Sequence, residues 1–156
     1  MQIERLKVYL SGEIHTQWRD KLKNSINDLQ LKVVLLSPVT DHSLSDDCGV
    51  EILGQESKKF WHDHKGASIN SIRTKNMIEK SDVVIVKFGD KYRQWNAAFD
   101  AGMAVTLGKS LITLHEESLD HALKEIDAAS SAVCRTEEQV IQTIQYVVNG
   151  EVIQKK

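Results

Sequence analysis

The chain of 156 residues has a single proline and only two cysteines. Cys48 and Cys134 lie too far apart for a zinc or redox motif, and a small disulfide scaffold needs more than one pair, so free thiols are expected. No run of about 18 apolar residues occurs, which excludes a membrane-spanning helix by length. The opening "MQIERLKVYLSGE" has charges where a signal peptide needs its apolar core, and the expected location is the cytoplasm. An excess of one charge is lacking too: the formal net charge is -2 with 27% charged residues. Bulk electrostatics therefore predicts neither a nucleic-acid nor a membrane partner. No G-x-G-x-x-G or Walker A pattern follows any apolar run, which disfavours a dinucleotide or triphosphate, and no cofactor is expected.

What is present suits one core. With 41% hydrophobic residues, the length predicts a single domain over 1–156. The runs "LKVYLSG" and "LKVVLLSPV" flank "HTQWRDKLKNSINDLQ", where Trp18, Leu22, Ile26 and Leu29 keep helical spacing. The alternation returns in "SDVVIVKFGD" with "NAAFDAGMAVTLG", in "SLITLH" with "ESLDHALKEIDAA", and in "SAVCRT" with "EEQVIQTIQYVVNG". Short apolar strands alternating with helices predict an α/β fold, a flavodoxin- or Rossmann-like three-layer sandwich with about five parallel strands. The long segment between the second and third strands reads as an ordered polar loop pinned by Phe60 and Trp61, then a helix from about Ser68 to Lys80. Ile69, Ile72, Arg73, Asn76 and Met77 share one side of that helix, and Arg73 is placed to pair Asp82 or reach a phosphate.

In an open parallel sheet, ligands bind beyond the carboxyl ends of the strands. That rule selects Ser11, Gly12, Glu13 and His15 after the first strand, Asp41 after the second, and Asp90 with "KYRQWN" after the third. Gly12 permits close approach of a ligand to backbone. In "QWNAAFDAGMAVTLGKSLITLH", Asn96 is the expected helix cap and Gly108 the left-handed stop, putting Asp100 in the first helical turn. Two readings of Asp100 stay open: a surface complement to the helix dipole, or a placed chemical group. Glu13 is either a ligand-hydroxyl or proton-transfer group or a solvated loop carboxylate; His15 caps the next helix or meets substrate. Trp95 stacks a base or closes its loop onto the core with Tyr92, with packing favoured. The loop groups Asp41, His42, Asp46, Asp47, Cys48, His62, Asp63 and His64 raise a metal hypothesis. No H-E-x-x-H occurs, and His62 and His64 diverge on a helix, so no metal site is expected.

Together, "YLSGE" and "SDVVIVKFGDKYRQWNAAFDAGMAVTLGKSLITLH" resemble the nucleoside 2-deoxyribosyltransferases. The match comprises the strand end Tyr9 to Gly12, the apolar strand Ser81 to Phe88, Asp100 followed by Gly102 and Ala104, and Gly108-Lys109-Ser110. Over most of the chain, including "SGEIHTQWRD", "SPVTDH", "CGVEILG", "FWHDHKGA" and "DKYRQWNAAFDAG", the sequence resembles the YtoQ family within that superfamily. The resemblance implies glycosyl transfer or N-glycosidic hydrolysis on a small nucleoside or nucleotide, with no added cofactor. A carboxylate attacks the anomeric carbon and the base leaves with a proton. It places the nucleophile at Asp100, where the family carries the longer glutamate, and gives Glu13 an assisting role as acid, base or sugar-hydroxyl acceptor. Tyr9, Ser11, Gly12, His15, Asp41, Asp90, Trp95 and Asn96 are the implied substrate-binding residues. Family aspartates fall near Thr74 and Gln94. A homo-oligomer is implied as well, because such sites borrow residues from a neighbouring subunit. The reading from another class is a non-catalytic nucleotide-binding or regulatory module on the same fold.

Overall fold

A computed structural model describes residues 4–152. Five strands form one all-parallel sheet: β1 (Leu6–Gly12), β2 (Val33–Leu36), β3 (Val83–Lys87), β4 (Ser110–Leu114) and β5 (Ala132–Cys134), in the order β2-β1-β3-β4-β5. The helices are α1 (Trp18–Asp28), α2 (His42–Leu53), α3 (Lys59–Lys80), α4 (Trp95–Thr106), α5 (Asp120–Ala128) and α6 (Glu137–Asn149). This is the expected three-layer α/β architecture. Chain order reverses across β1, so the crevice for a ligand opens between the carboxyl ends of β1 and β3.

Alternation along each strand feeds two cores. Val8, Leu10, Val83, Ile85, Ile112 and Leu114 face Trp18, Leu22 and Ile26 of α1 and Val140 and Ile144 of α6. Tyr9, Val84, Val86 and Leu111 face Ile78 of α3, Leu123 of α5 and the small side chains Ala97, Ala101 and Ala104 of α4. Burial on both faces is why the strands read as unbroken apolar runs. The alanine stripe, spaced by four and three, brings the α4 axis close to the sheet. Gly108, at φ 70°, ends α4 as expected. Cys48 and Cys134 are both free, and no described helix is long and apolar enough to cross a membrane.

Several local expectations are corrected. The segment after β2 is a helical hairpin, α2 against α3, rather than a loop followed by a short helix. Asp41 caps α2 by accepting from the Leu44 amide at 2.8 Å. The helices cross so closely at Gly49 that a Cβ there would lie 2.2 Å from the Gly66 amide nitrogen. Because α2 buries only Gly49 and Val50, its sequence carries little amphipathic signal. Phe60 and Trp61 do not pin a loop; they sit exposed on the first turn of α3, with ring centroids 5.0 Å apart. Ile72 is exposed and α3 buries Gly66 and Ile78 instead, while Asp82 accepts from the Lys7 amide at 2.8 Å. Finally, α4 begins at Trp95 after Gln94, so Asn96 lies inside the helix rather than capping it, and Asp100 falls in the second turn.

Candidate functional site

The carboxyl end of β1 is locked before any side chain is considered. Gly12 adopts φ +99°, and a Cβ there would lie 2.1 Å from the Lys87 carbonyl oxygen. Only glycine fits this turn beside β3. Arg19 of α1 then collects the chain's carbonyls: its guanidinium donates to the oxygens of Leu10 and Gly12, both at 3.2 Å, and to that of Glu13. Trp18 Nε1 also donates to the Glu13 carbonyl at 2.7 Å. Burial lowers the Arg19 pKa to about 10, with Tyr9 and Glu13 opposing that fall.

Two neighbourhoods grow from this corner. The first lies on the α4 side of the sheet. Ser11, fully buried on β1, donates its hydroxyl to Asp100 Oδ2 at 2.6 Å. Burial raises the Asp100 pKa and the Ser11 bond opposes the rise. The helix dipole contributes little so far from the first turn. Tyr9 is next to them. Burial and then the Asp100 charge push its phenol up to about 12, against the Thr74 hydroxyl, Arg19 and Arg73. At neutral pH Tyr9 is therefore a proton donor beside a carboxylate. Thr74 thus stands at the site, as the family spacing implies, though as a hydroxyl.

The second neighbourhood is a cavity of about 470 Å³ beyond the carboxyl ends of the strands. That volume falls within the range of small-molecule sites. Glu13, His15, Asp90 and Gln94 line it, joined by Lys87, His115, Arg135 and Glu137. Glu13 is almost fully buried, and burial alone would raise its pKa. The Thr16 hydroxyl and the His15 and Thr16 amides all donate to its carboxylate, and with Lys87 they hold it below the ordinary value. His15 does not cap α1; its ring lies against Tyr92, centroids 4.6 Å apart. Gln94 folds back to accept from the Gly89 amide at 2.9 Å.

The expected site residues therefore divide. Tyr9, Ser11 and Asp100 meet around one carboxylate; Glu13, His15 and Asp90 line the adjoining cavity, and Gly12 forms the turn between them. Asp41 stands apart as the α2 cap. Trp95 is 72% exposed, and its expected packing onto the core is not found. Asn96 is exposed on the first turn of α4.

Sequence reading missed three cavity residues, Lys87, Arg135 and Glu137. Lys87 pairs with Glu137 across 2.9 Å, and Arg135 with Asp120 across 2.6 Å. His115, buried, has Nε2 2.9 Å from Asp127 Oδ2. Nothing in local spacing joins these residues, because only the strand order brings β3, β4 and the start of α6 together. As for metals, the hairpin groups pair among themselves: His42 with Asp46 at 2.9 Å, His62 with Asp47 at 3.1 Å and Lys59 with Asp63 at 2.6 Å. His115, Asp120 and Asp127 do bring ligand atoms within 4.8 Å of one another. The Arg135 guanidinium already supplies the positive charge there, bound to Asp120.

The chain is 40% identical over 144 residues, covering 92% of its length and 97% of the relative, to the uncharacterized protein YtoQ of Bacillus subtilis (strain 168). Among solved structures it is similar to a conserved protein from Enterococcus faecalis V583, with a TM-score of 0.64 at 15% identity, covering 92% of this chain and 99% of that one. It is also similar to a 2-deoxyribosyltransferase from the psychrotolerant bacterium Bacillus psychrosaccharolyticus, with a TM-score of 0.54 at 17% identity, covering 86% and 90%. At such identities the structures establish the shared fold. The family model described as nucleoside 2-deoxyribosyltransferase YtoQ matches residues 9–148, and the chain belongs to that family.

Proposed function

We propose that this protein performs glycosyl transfer or N-glycosidic hydrolysis on a small deoxynucleoside or deoxynucleotide, with Asp100 as the attacking carboxylate. The observation that carries this reading is the placement of Asp100. Its carboxylate is half-buried beside the β1–β3 crevice, held at one oxygen by Ser11 and flanked by a protonated Tyr9. Family membership supports the reaction class, and the fold is that of a structure described as a 2-deoxyribosyltransferase.

In the proposed sequence a carboxylate oxygen of Asp100 bonds to C1′ of the sugar. The electron pair of the C1′–N bond passes to the base, which takes up a proton as it leaves. Water or a second base then attacks C1′ and frees the carboxylate. Glu13, held ionised by its hydrogen bonds, suits acceptance of a sugar hydroxyl better than donation of a proton. Gly12 gives the sugar access to backbone, and His15, Asp90, Trp95 and Asn96 frame the entrance; Asp41, committed to capping α2, is no longer part of the set. We also propose a cytoplasmic homo-oligomer. The exposed ridge of Trp95 and Phe99, one turn apart on α4, supports a protein contact at the site's edge.

Intact-protein mass after incubation with a panel of deoxynucleosides and deoxynucleotides, alongside Asp100→Ala, tests the proposal. The expected result is a sugar-sized adduct in the wild type and none in the variant. No adduct, no released base and no retained ligand in any member of the panel would overturn it. One observation favours a binding module without turnover: Asp100 is not among the residues lining the 470 Å³ cavity. Retention of a nucleotide with no base release would establish that alternative.

A further inference from the structure

We propose that Ser11 is a positioning residue for Asp100, its buried hydroxyl fixing Oδ2 so that Oδ1 is the oxygen presented to a substrate. The second half of this statement rests on the proposed nucleophilic role of Asp100; the first half does not.

Ser11 is an unusual choice for its position. It is fully buried in a central parallel strand, paired in register with Val86, and its neighbours Tyr9 and Leu10 are bulky core residues. A buried hydroxyl is costly unless hydrogen-bonded, and serine gives little packing in a sheet. Among the described residues, its one side-chain hydrogen bond is the 2.6 Å donation to Asp100 Oδ2, reaching from β1 to the second turn of α4. The strand ladder fixes the Ser11 backbone, so the hydroxyl is held by the sheet rather than carried on a mobile loop. The Asp100 side chain makes no other hydrogen bond among the described residues, so Oδ1 has no donor there. A donor aimed at one carboxylate oxygen favours the ionised form and sets the carboxylate's orientation. It acts against the burial that raises the Asp100 pKa.

A hydroxyl serving only to fill space makes a different prediction. In that case Ser11→Ala leaves Asp100 unchanged. The measurement is the Asp100 carboxyl carbon resonance, followed against pH in ¹³C-labelled full-length wild type, Ser11→Ala and Ser11→Thr, with amide spectra reporting the fold. The positioning role predicts a titration midpoint about one pH unit higher in Ser11→Ala, a roughly tenfold change in the ionised-to-neutral ratio. Ser11→Thr, which keeps the donor, returns the midpoint towards wild type. An unchanged or lower midpoint in Ser11→Ala overturns the proposal, as does a folded Ser11→Thr that titrates like the alanine variant. If Ser11→Thr fails to fold, Ser11→Ala decides alone. The pH profile of adduct formation is the second readout: its acid limb moves up with the carboxyl midpoint. Should no adduct form even in the wild type, the glycosyl-transfer reading fails while the titration still decides the role of Ser11.

Discussion

His115 Nε2 lies 2.9 Å from Asp127 Oδ2, tying the residue after β4 to the last turn of α5. The opposite ring nitrogen, Nδ1, is 2.9 Å from the Glu116 carbonyl oxygen, and the Thr113 hydroxyl donates to Asp127 Oδ1 at 2.8 Å. The imidazole has no solvent exposure and the Asp127 side chain only 18%. Removing Asp127 leaves the unexposed imidazole without its partner at Nε2, which costs more than the bond itself contributes. Asp127→Ala is therefore expected to lose about 2 to 4 kcal/mol, read as a lower urea midpoint with an unchanged slope. A double-mutant cycle with His115→Ala separates this coupling from simple loss of packing; a coupling near zero counts against it.

How much of this is legible in the sequence depends on how local each signal is. The strands are readable because two-sided burial makes Val8–Leu10 and Val83–Val86 continuous apolar runs and leaves Thr113 as the one polar residue in Leu111–Leu114. Helix α4 was readable from Ala97, Ala101 and Ala104, whose spacing survives any tertiary detail. The α2–α3 hairpin was not, because each helix leans on the other through Gly49 and Gly66 and leaves Leu44, Ile52, Phe60 and Trp61 exposed, so no amphipathic stripe forms. An Asn96 cap predicts a start for α4 two residues too late, because Gln94, which precedes the helix and accepts from the Gly89 amide, carries no cap signature. Lys87 and Glu137 are 50 positions apart, and only the strand order makes them neighbours. Asp100 stands out in the family pattern, but its tie to Ser11, 89 positions away, exists only once β1 and α4 pack together.

Trp95 and Phe99 are 72% and 68% exposed, one helical turn apart beside Asp100. If this ridge seals against a second copy, Trp95→Glu with Phe99→Glu replaces an apolar contact by like charges. The expected outcome is a halved or further reduced mass by light scattering, with far-UV circular dichroism preserved. An unchanged mass removes this ridge from the interface.

Glu13 predicts a pH signature of its own. Its folded pKa is lowered, so the stabilisation it gives is fully present above the unfolded pKa and is lost as pH falls through the folded value. Glu13→Gln should cost about 1 to 2 kcal/mol at neutral pH, the scale of hydrogen bonds to a charged acceptor. The wild-type and variant stability curves should converge as the pH drops below the usual carboxylate range. Parallel curves across that range would mean that the loop is held by shape rather than by the charge on Glu13.

Asp100 has the opposite sign. Because its folded pKa is raised, the native state binds the proton more tightly than the unfolded chain. The resulting penalty is absent below the unfolded pKa, grows as pH rises through the folded value, and persists at neutral pH. Asp100→Asn removes the charge, keeps the shape and retains an acceptor for the Ser11 hydroxyl. It should therefore be more stable than wild type at neutral pH, by about 0.5 to 2 kcal/mol, the usual gain from neutralising a destabilised functional residue. That gain should vanish in acid, where the wild-type carboxyl is already protonated. Thermal melts of both proteins across the carboxylate range test the sign directly. A variant less stable at neutral pH would mean that the ionised carboxylate is a net structural asset, and the trade of stability for a placed nucleophile would have to be abandoned.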